Sequence, residues 1–368
     1  MAAPIQIEVV PQTILNEMVA FYQAELGITL QPAQVERVLL NVWAYRESLL
    51  RSQVQAAATN NLLSFSTEPV LDYLVELLGV IRLSATNALV TIEFTVNTTG
   101  VTIPSGTRVS SVDGLAVFRT QADIVISSPN LTAQAVCVSV TSGENFNGYA
   151  IGTITTILDP QAFLDSATNL DISAGGSSQE TDDQLRARAR LAPEAFGTAG
   201  SVNAYKFWAY TANPAIIDVG VPRIPVTPGT VLVYPLLADG TVTPQPVLDQ
   251  VLAILDADEV RPLTDTVIVN APSPSYYTLD IDIVIFEDAD PISTQANALA
   301  AVEAYVLQQR QRMGRDVMED QITAAIVNSS PNAVYDVDLG LFTDLVIADF
   351  EYAVCQGVTV TVTGTNEG

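Results

Sequence analysis

The chain contains no histidine, and this limits the chemistry that its side chains can perform. Histidine is the commonest general base and metal ligand, and it completes the Ser-His and Cys-His pairs of many hydrolases. Paired carboxylates remain as candidates, because two of them can together cleave a glycosidic bond. The acidic runs that could supply such a pair lie at residues 256–259 and 287–290.

Both acidic runs favour a structural interpretation. They fall near prolines at the ends of predicted elements, where solvated turn carboxylates are common, and neither has the spacing of a calcium loop. No phosphate loop, dinucleotide fingerprint or nucleophile elbow occurs. Gly175 and Gly176 before a predicted helix resemble a phosphate cradle, but Glu180, Asp182 and Asp183 would repel a phosphate there. We therefore predict a protein that is not an enzyme and that binds no metal and no cofactor.

The charge balance restricts the possible partners. The 368 residues include 41 acidic and 15 basic side chains, which gives a net charge of −26. Such a charge disfavours both nucleic acid and an anionic membrane surface, so we predict neither as a partner. Cys137 and Cys355 lie far apart and are predicted to be buried free thiols. Without a visible secretory signal or membrane span, we expect assembly in the cytoplasm.

The first 84 residues are predicted to be helical, and one helix there carries two apolar stripes. The first stripe is formed by Val35, Val38, Val42, Tyr45 and Leu49, and the second by Leu39, Trp43, Leu50 and Val54. Two apolar faces need two partners, which could be another helix of this region together with the body of the protein, or a helix from another chain. We predict that one stripe binds a partner chain. A further helix is expected over residues 66–83, capped by Ser66 or Thr67 with Pro69 in its first turn.

The pattern changes to a period of two between residues 87 and 158, with turn-forming residues between the alternating segments, and this predicts an antiparallel β-rich domain. A helix then begins near Thr181, which with Gln184 has the spacing of a capping box. Asp182 and Arg186 have the spacing of an ion pair on this helix. For its three arginines, Arg186, Arg188 and Arg190, a domain contact and a solvated face remain equally open.

Two α+β modules with split crossovers follow, because helices alternate with short strands in both. The predicted fold class is therefore α+β and multidomain. Its parts are a helical N-terminal region at 1–84, a β-rich domain at 85–172, an α+β module at 173–274 and a C-terminal α+β module at 275–368.

Several segments, in the correct order, resemble the baseplate J-like family. GVTIPSGTRVSSVDGLAVFRTQADIVI and GENFNGYAIGTITTI are similar to consecutive stretches of that family. AGGSSQETDDQLRARAR resembles its Gly-Gly, Glu-Thr-Asp and Leu-Arg-x-Arg signature most closely. TAGSVNAYKFWAYTANPAIIDVGV, PGTVLVYPLLADG and VRPLTDTVIVNAPSP resemble its later helix and strand segments. The resemblance covers about residues 85–290. One departure from the family pattern is that the segment ADEVRPLT keeps only one basic residue, Arg261, where the family often carries more charge.

This resemblance implies a structural wedge subunit of a contractile tail baseplate in a virion. Such a subunit would form a ring around the tail hub and relay the trigger for sheath contraction. The implied partners are other copies of the chain, a smaller wedge protein whose helix joins the N-terminal helices, hub and sheath-proximal proteins, and tail fibre attachment proteins. The family has no catalytic residues to carry over.

An alternative class remains open at this point. The Thr- and Val-rich middle region would also suit a surface adhesin or a carbohydrate-binding β module, and that class predicts exposed aromatic residues on a groove.

Overall fold

The computed structural model describes residues 6–195, 200–222, 228–238, 242–257, 259–262 and 264–366. The acidic run over 256–259 therefore falls partly outside the described residues. So does the segment 215–224, which the sequence predicts as one of the short strands of the module at 173–274. The chain forms two compact units. The first contains residues 1–82 and 181–190, and the second contains residues 83–180 and 191–368. Residues 181–190 thus belong to the first unit, although the sequence-based limits placed them in the third domain.

Three helices from the N-terminal segment form most of the first unit. They are α1 (Pro11–Leu26), α2 (Val35–Asn60) and α3 (Val70–Glu76). Helix α1 ends at Gly27, which has a φ of 65° and donates its backbone N–H to the carbonyl of Gln23 at 2.9 Å. This left-handed conformation suits glycine because it has no Cβ.

The prediction of a long, capped helix over 66–83 was wrong. Helix α3 covers only seven residues, Val70–Glu76, and its N-cap is Pro69, which makes no side-chain cap. The hydroxyl of Ser66 instead donates to the carbonyl of Leu63 at 3.4 Å. Gly79, with a φ of 72°, follows two residues after the C-cap, so the backbone turns before the apolar pattern ends.

The second unit begins with an antiparallel sheet whose strands alternate between buried and more exposed residues. The strands of this domain are β1 (Asn87–Val96), β2 (Val101–Ile103), β3 (Arg108–Ser111), β4 (Val117–Thr120), β5 (Ile124–Ile126), β6 (Thr132–Ser142), β7 (Ile154–Ile157) and β8 (Leu164–Asn169). The six-stranded sheet has the order β7-β3-β4-β6-β1-β8, and β2 pairs with β5. Its core includes Phe94, Phe118 and Cys137.

A helix and an α+β module follow the sheet. These elements are α4 (Asp182–Ala195), α5 (Val202–Ala212), β9 (Ile216–Gly220), β10 (Thr230–Leu237), α6 (Gln245–Leu255) and β11 (Thr266–Val269). Strand β10 pairs antiparallel with β9 and parallel with β11, and α6 provides the crossover between the parallel strands. Ser201 caps α5 by accepting a hydrogen bond from the backbone N–H of Ala204 at 3.1 Å.

The C-terminal module has the same arrangement, a central strand with one antiparallel and one parallel neighbour, but its elements are longer. They are β12 (Ser273–Phe286), α7 (Pro291–Arg310), α8 (Glu319–Ser329), β13 (Val334–Asp338) and β14 (Glu351–Asn366). Strand β12 lies between β13, which is antiparallel to it, and β14, which is parallel to it. Together with the helical segment and the antiparallel sheet, these modules confirm the predicted α+β multidomain class.

Candidate functional site

Helix α2 packs against the rest of its unit through one narrow line of residues. Leu40, Ala44 and Ser48 are the buried residues of this helix, and they recur every four positions. The first two belong to the same apolar core as residues of α1. Ser48 donates its hydroxyl to the carbonyl of Val9 at 2.7 Å, which fixes the segment before α1 along this line.

The opposite side of α2 is an exposed apolar face. We define it by the nine stripe residues Val35, Val38, Leu39, Val42, Trp43, Tyr45, Leu49, Leu50 and Val54. Each of these side chains is between 44% and 71% exposed. At about 100° per residue, the nine positions span about half of the helix circumference. The two predicted stripes are therefore neighbouring parts of one continuous apolar face.

The apolar face is large in energetic terms. Completing the burial of one half-exposed side chain of this kind would contribute on the order of 1 kcal/mol. Sixteen of the 36 large apolar side chains that are exposed among the described residues lie within residues 6–82. Exposed apolar surface is thus concentrated in less than a quarter of the chain, as expected for a region that binds another protein.

Within the described residues of the first unit, both stripes are exposed. The buried residues of α2, which contact α1 and the segment before it, form a third line. The sequence did not reveal this line, because Ala44 and Ser48 are small and do not stand out in an apolar pattern. The signal that could have found it is a repeat of small or apolar residues at four-residue steps beginning at Leu40. Tyr73, 69% exposed, adds a further apolar surface on α3 that the pattern had not identified.

The start of α4 is built as a capping box. Gln184 accepts a hydrogen bond from the backbone N–H of Thr181 at 3.0 Å, and Thr181 accepts one from the backbone N–H of Gln184 at 3.4 Å. The predicted pair of Asp182 with Arg186 is wrong. Arg186 pairs with Asp183, and Asp182 pairs with Arg82 at 2.7 Å.

Arg82 is the most buried basic side chain in these ion pairs, with 7% exposure. It also contacts Asp72 of α3 at 2.6 Å, and so it bridges α3 to α4. Burial alone would lower the pKa of Arg82, but the hydrogen bonds and charges of the two carboxylates outweigh burial and raise it. Arg82 therefore remains charged and holds the two helices together.

The three arginines of α4 all contact the segment that surrounds α3. Arg186 donates to the carbonyl of Ser66 at 2.9 Å, and Arg188 donates to the carbonyl of Ile81 at 2.6 Å. Arg190 lies 3.4 Å from the hydroxyl of Ser64. Of the two alternatives for these arginines, the structure supports a contact within the first unit.

The acidic runs have structural contacts. Asp290 caps α7 by accepting a hydrogen bond from the backbone N–H of Ser293 at 3.0 Å. Hydrogen bonding to the side chain and to the backbone of Ser293 lowers the pKa of Asp290. Asp256 forms an ion pair with Arg261 at 3.1 Å, while Asp258 lies outside the described residues. Within the described ranges, no group of three or more acidic, cysteine or histidine side chains is arranged to hold a metal ion. None of the helices there has both the length and the hydropathy needed to cross a membrane.

The two cysteines have different environments. Cys137 is fully buried in the β-rich domain, and burial raises the pKa of its thiol to about 12. Cys355 is only half-buried, so the prediction of two buried thiols was wrong for this residue. Its edge-strand position in β14 explains the difference.

Comparisons with known proteins identify the family. Four models of the baseplate J-like family match this chain: the N-terminal domain at residues 37–88, the barrel domain at 91–176, the central domain at 197–271 and the C-terminal domain at 277–361. Baseplate protein J of Escherichia phage P2 is 25% identical over 240 residues, which are 65% of this chain and 76% of that protein.

A solved structure of the anti-feeding prophage baseplate is also similar. Its matching chain is 13% identical, with a TM-score of 0.38, and the match covers 92% of this chain and 90% of that chain. The four family matches together span well over half of the chain. The protein therefore belongs to the baseplate J-like family and is a structural component of a tail baseplate.

Proposed function

We propose that the chain is a wedge subunit that forms a ring around the tail hub with other copies of itself. The observation that carries this proposal is the exposed apolar face of α2. This apolar face covers about half of the circumference of α2, and its exposure to water is unfavourable for a protein that acts alone. A bundle of helices from different chains would bury the face.

The proposed occupant of this face is an amphipathic helix of a smaller wedge protein. A helix that packs beside α2 covers only part of its circumference, so the width of the face suits two helices better than one. The two stripes would then contact different members of the bundle. The other proposed partners, which are hub and sheath-proximal proteins and tail fibre attachment proteins, would contact the remaining surfaces after assembly in the host cytoplasm.

The proposed role is mechanical and requires no catalytic group. The ring would hold one arrangement before contact with the host, and a change of its inter-subunit contacts would release sheath contraction. Such a switch needs packed interfaces that have two discrete arrangements.

The alternative of a carbohydrate-binding module has little structural support. It requires exposed aromatic side chains on the β-rich domain, because sugars stack on aromatic rings. Residues 85–172 are all described, and none of the exposed large apolar side chains there is aromatic. We therefore do not adopt this alternative.

Co-purification with the smaller wedge protein tests the partner-binding face. In the triple variant Val38→Ser, Val42→Ser, Leu49→Ser, the replaced side chains are already 44–56% exposed. We expect its melting temperature to change little and its co-purification to be lost, because the apolar contact with the partner helix is removed.

A matched control replaces two valines and one leucine of similar exposure outside α2. Val125, Val140 and Leu131 are 45–67% exposed on the β-rich domain. Their replacement by serine should leave co-purification intact. If the α2 variant instead retained co-purification and lost thermal stability, the face would belong to the fold of the chain itself and the assignment would be refuted.

Ring formation is tested separately. The chain expressed together with its neighbouring genes should appear as rings or wedges by electron microscopy. Single unassembled particles under conditions where all the partners are present would contradict the wedge proposal.

We also propose that the four domains have the limits 1–84, 85–172, 173–274 and 275–368. The matched family segments support the limits at 84, 172 and 274, because the first two matches end at 88 and 176 and the last one begins at 277. The central match begins only at residue 197. Limited proteolysis should cut first near residues 84, 172 and 274 if the limits are correct.

A further inference from the structure

A polar cleft of about 700 Å³ opens on the outer face of the β-rich domain. Arg119 of β4 and the following Gln121 line one part of it, and Ser105, Asn87 and Gln250 line others. No acidic side chain is among its described lining residues. In a chain with 41 acidic and 15 basic residues, a cleft whose described lining has an arginine and no carboxylate is unusual. The Asp123 carboxylate adjoins it by accepting a hydrogen bond from the backbone N–H of Ser105 at 2.8 Å.

Arg119 occupies an electrostatically unfavourable position. It lies directly opposite Arg108 in the antiparallel pair of β3 and β4, and like charges in this register are destabilising. Arg108 has its own counter-ion, because its guanidinium contacts Asp159 at 2.7 Å. The Arg119 side chain is exposed and has no hydrogen-bond or ion-pair partner in the part of the chain that the structure describes. An arginine in such a place is available to an anionic ligand.

The surroundings of Arg119 provide an apolar floor and further donors. In register across the sheet, Arg119 pairs with Val138 of β6, and Val138 pairs with Leu89 of β1. Both apolar residues line the cleft beside the guanidinium. The side-chain amide of Gln250 accepts a hydrogen bond from Asn213 at 3.3 Å, and its own N–H groups have no acceptor among the described residues. These N–H groups remain free to donate to a ligand.

We propose that this cleft binds a carboxylate, with Arg119 as its charged anchor and the amides of Gln121 and Gln250 as supporting donors. A guanidinium presents two parallel N–H groups that match the two oxygens of a carboxylate. A single cation with neutral amides suits a singly charged group better than a phosphate, which carries more charge. The carboxylate can belong to an acidic segment of a polypeptide or to a small organic acid. The inference does not depend on the proposed wedge function.

Binding to the full-length chain at about 0.15 M salt, where long-range repulsion by the negative protein is screened, tests the proposal. The probes are acetate and an end-capped peptide, FEDADP, which copies the exposed acidic turn of this chain at residues 286–291. Its neutral counterpart, FQNANP, is the control peptide. We expect titration calorimetry to show that Arg119→Ala weakens binding about tenfold or more, because charge-assisted hydrogen bonds are lost. The affinity of Arg119→Lys should lie between those of the unmodified chain and Arg119→Ala.

The matched control variant is Arg46→Ala, which removes another exposed arginine whose side chain has no partner among the described residues. It should bind as the unmodified chain does. Arg119-dependent binding of the peptide alone would identify a polypeptide carboxylate, and Arg119-dependent binding of acetate alone would identify a small organic acid. The proposal is overturned if neither probe binds, if Arg119→Ala binds as well as the unmodified chain, or if FQNANP binds as well as FEDADP.

Discussion

Replacing Arg82 by methionine should destabilise the first unit more than any exposed charge substitution there. Arg82 is 7% exposed, and it makes contacts of 2.6 and 2.8 Å with one oxygen of Asp72 and of 2.7 Å with Asp182. Methionine keeps much of the side-chain volume, so the main loss is the bridge between α3 and α4. Two neighbouring carboxylates are left without their counter-ion.

The expected magnitude follows from the burial of the three groups. Breaking a buried ion pair by removing one partner reduces stability by about 3–5 kcal/mol. The Asp72 and Asp182 side chains are 34% and 28% exposed, so water recovers part of that loss. We expect the free energy of unfolding of the first unit to fall by about 2–3 kcal/mol.

Urea unfolding followed by tryptophan fluorescence measures this change. Trp43 lies in the first unit and Trp208 in the second, so a Trp208→Phe background reports the first unit alone. The matched control is Arg51→Met, because Arg51 pairs with Glu47 on the surface of the same unit. That pair contributes about 0.5 kcal/mol or less.

A second comparison isolates the stranded carboxylates. Adding Asp72→Asn and Asp182→Asn to Arg82→Met removes both negative charges and should restore part of the lost stability. The reasoning is refuted if Arg82→Met shifts the unfolding midpoint no more than Arg51→Met does, or if the added asparagines destabilise further.

Three more predictions follow from single contacts. Thr181→Ala should lower the stability of the first unit by about 1 kcal/mol without abolishing assembly, whereas lost assembly at unchanged stability would make this helix start an interface. The Arg108 guanidinium lowers the pKa of Asp159 to about 2, so the stability from this pair is present above the ordinary carboxyl pKa and lost as pH falls towards 2. Carboxyl NMR titration of Arg108→Ala should show that pKa raised part of the way to the ordinary range, because the backbone N–H of residue 108 still donates to Asp159. An unchanged value would rule out the pairing with the guanidinium. In native protein, Cys355 should react with a thiol reagent before Cys137, whose buried thiol has a pKa raised to about 12. Equal rates would show that Cys137 is accessible.

The amino-acid sequence by itself determined the fold class and the family. Alternation along residues 87–96 and helical spacing along residues 35–54 depend only on which residues lie on one side of an element, and that geometry is local. The spacing of Thr181 and Gln184 likewise predicted a helix start from residues within one turn. The order of several weak motifs then indicated the baseplate J-like family, because order carries information that no single motif has.

The sequence did not determine which groups meet over long distances. Asp182 has an arginine four residues away, yet it pairs with Arg82, 100 residues earlier in the chain. Both pairings are compatible with the sequence, and the relative placement of α3 and α4 selects one of them. The sequence also did not show that both stripes of α2 are exposed. Ala44 packs against α1 and Ser48 bonds to the segment before it, and neither side chain stands out in an apolar pattern.

Only the tertiary structure determines which residues line the cleft at Arg119. Nothing in the local sequence indicates that Arg108 and Arg119 lie opposite each other, because strand register is set by the hairpin between them and by burial of the sheet's inner face. Nor does it indicate that Gln250, which is more than 100 residues further along the chain, lines the same cleft. Local periodicity fixes which side of an element a residue occupies, whereas the packing of distant elements fixes which residues meet there.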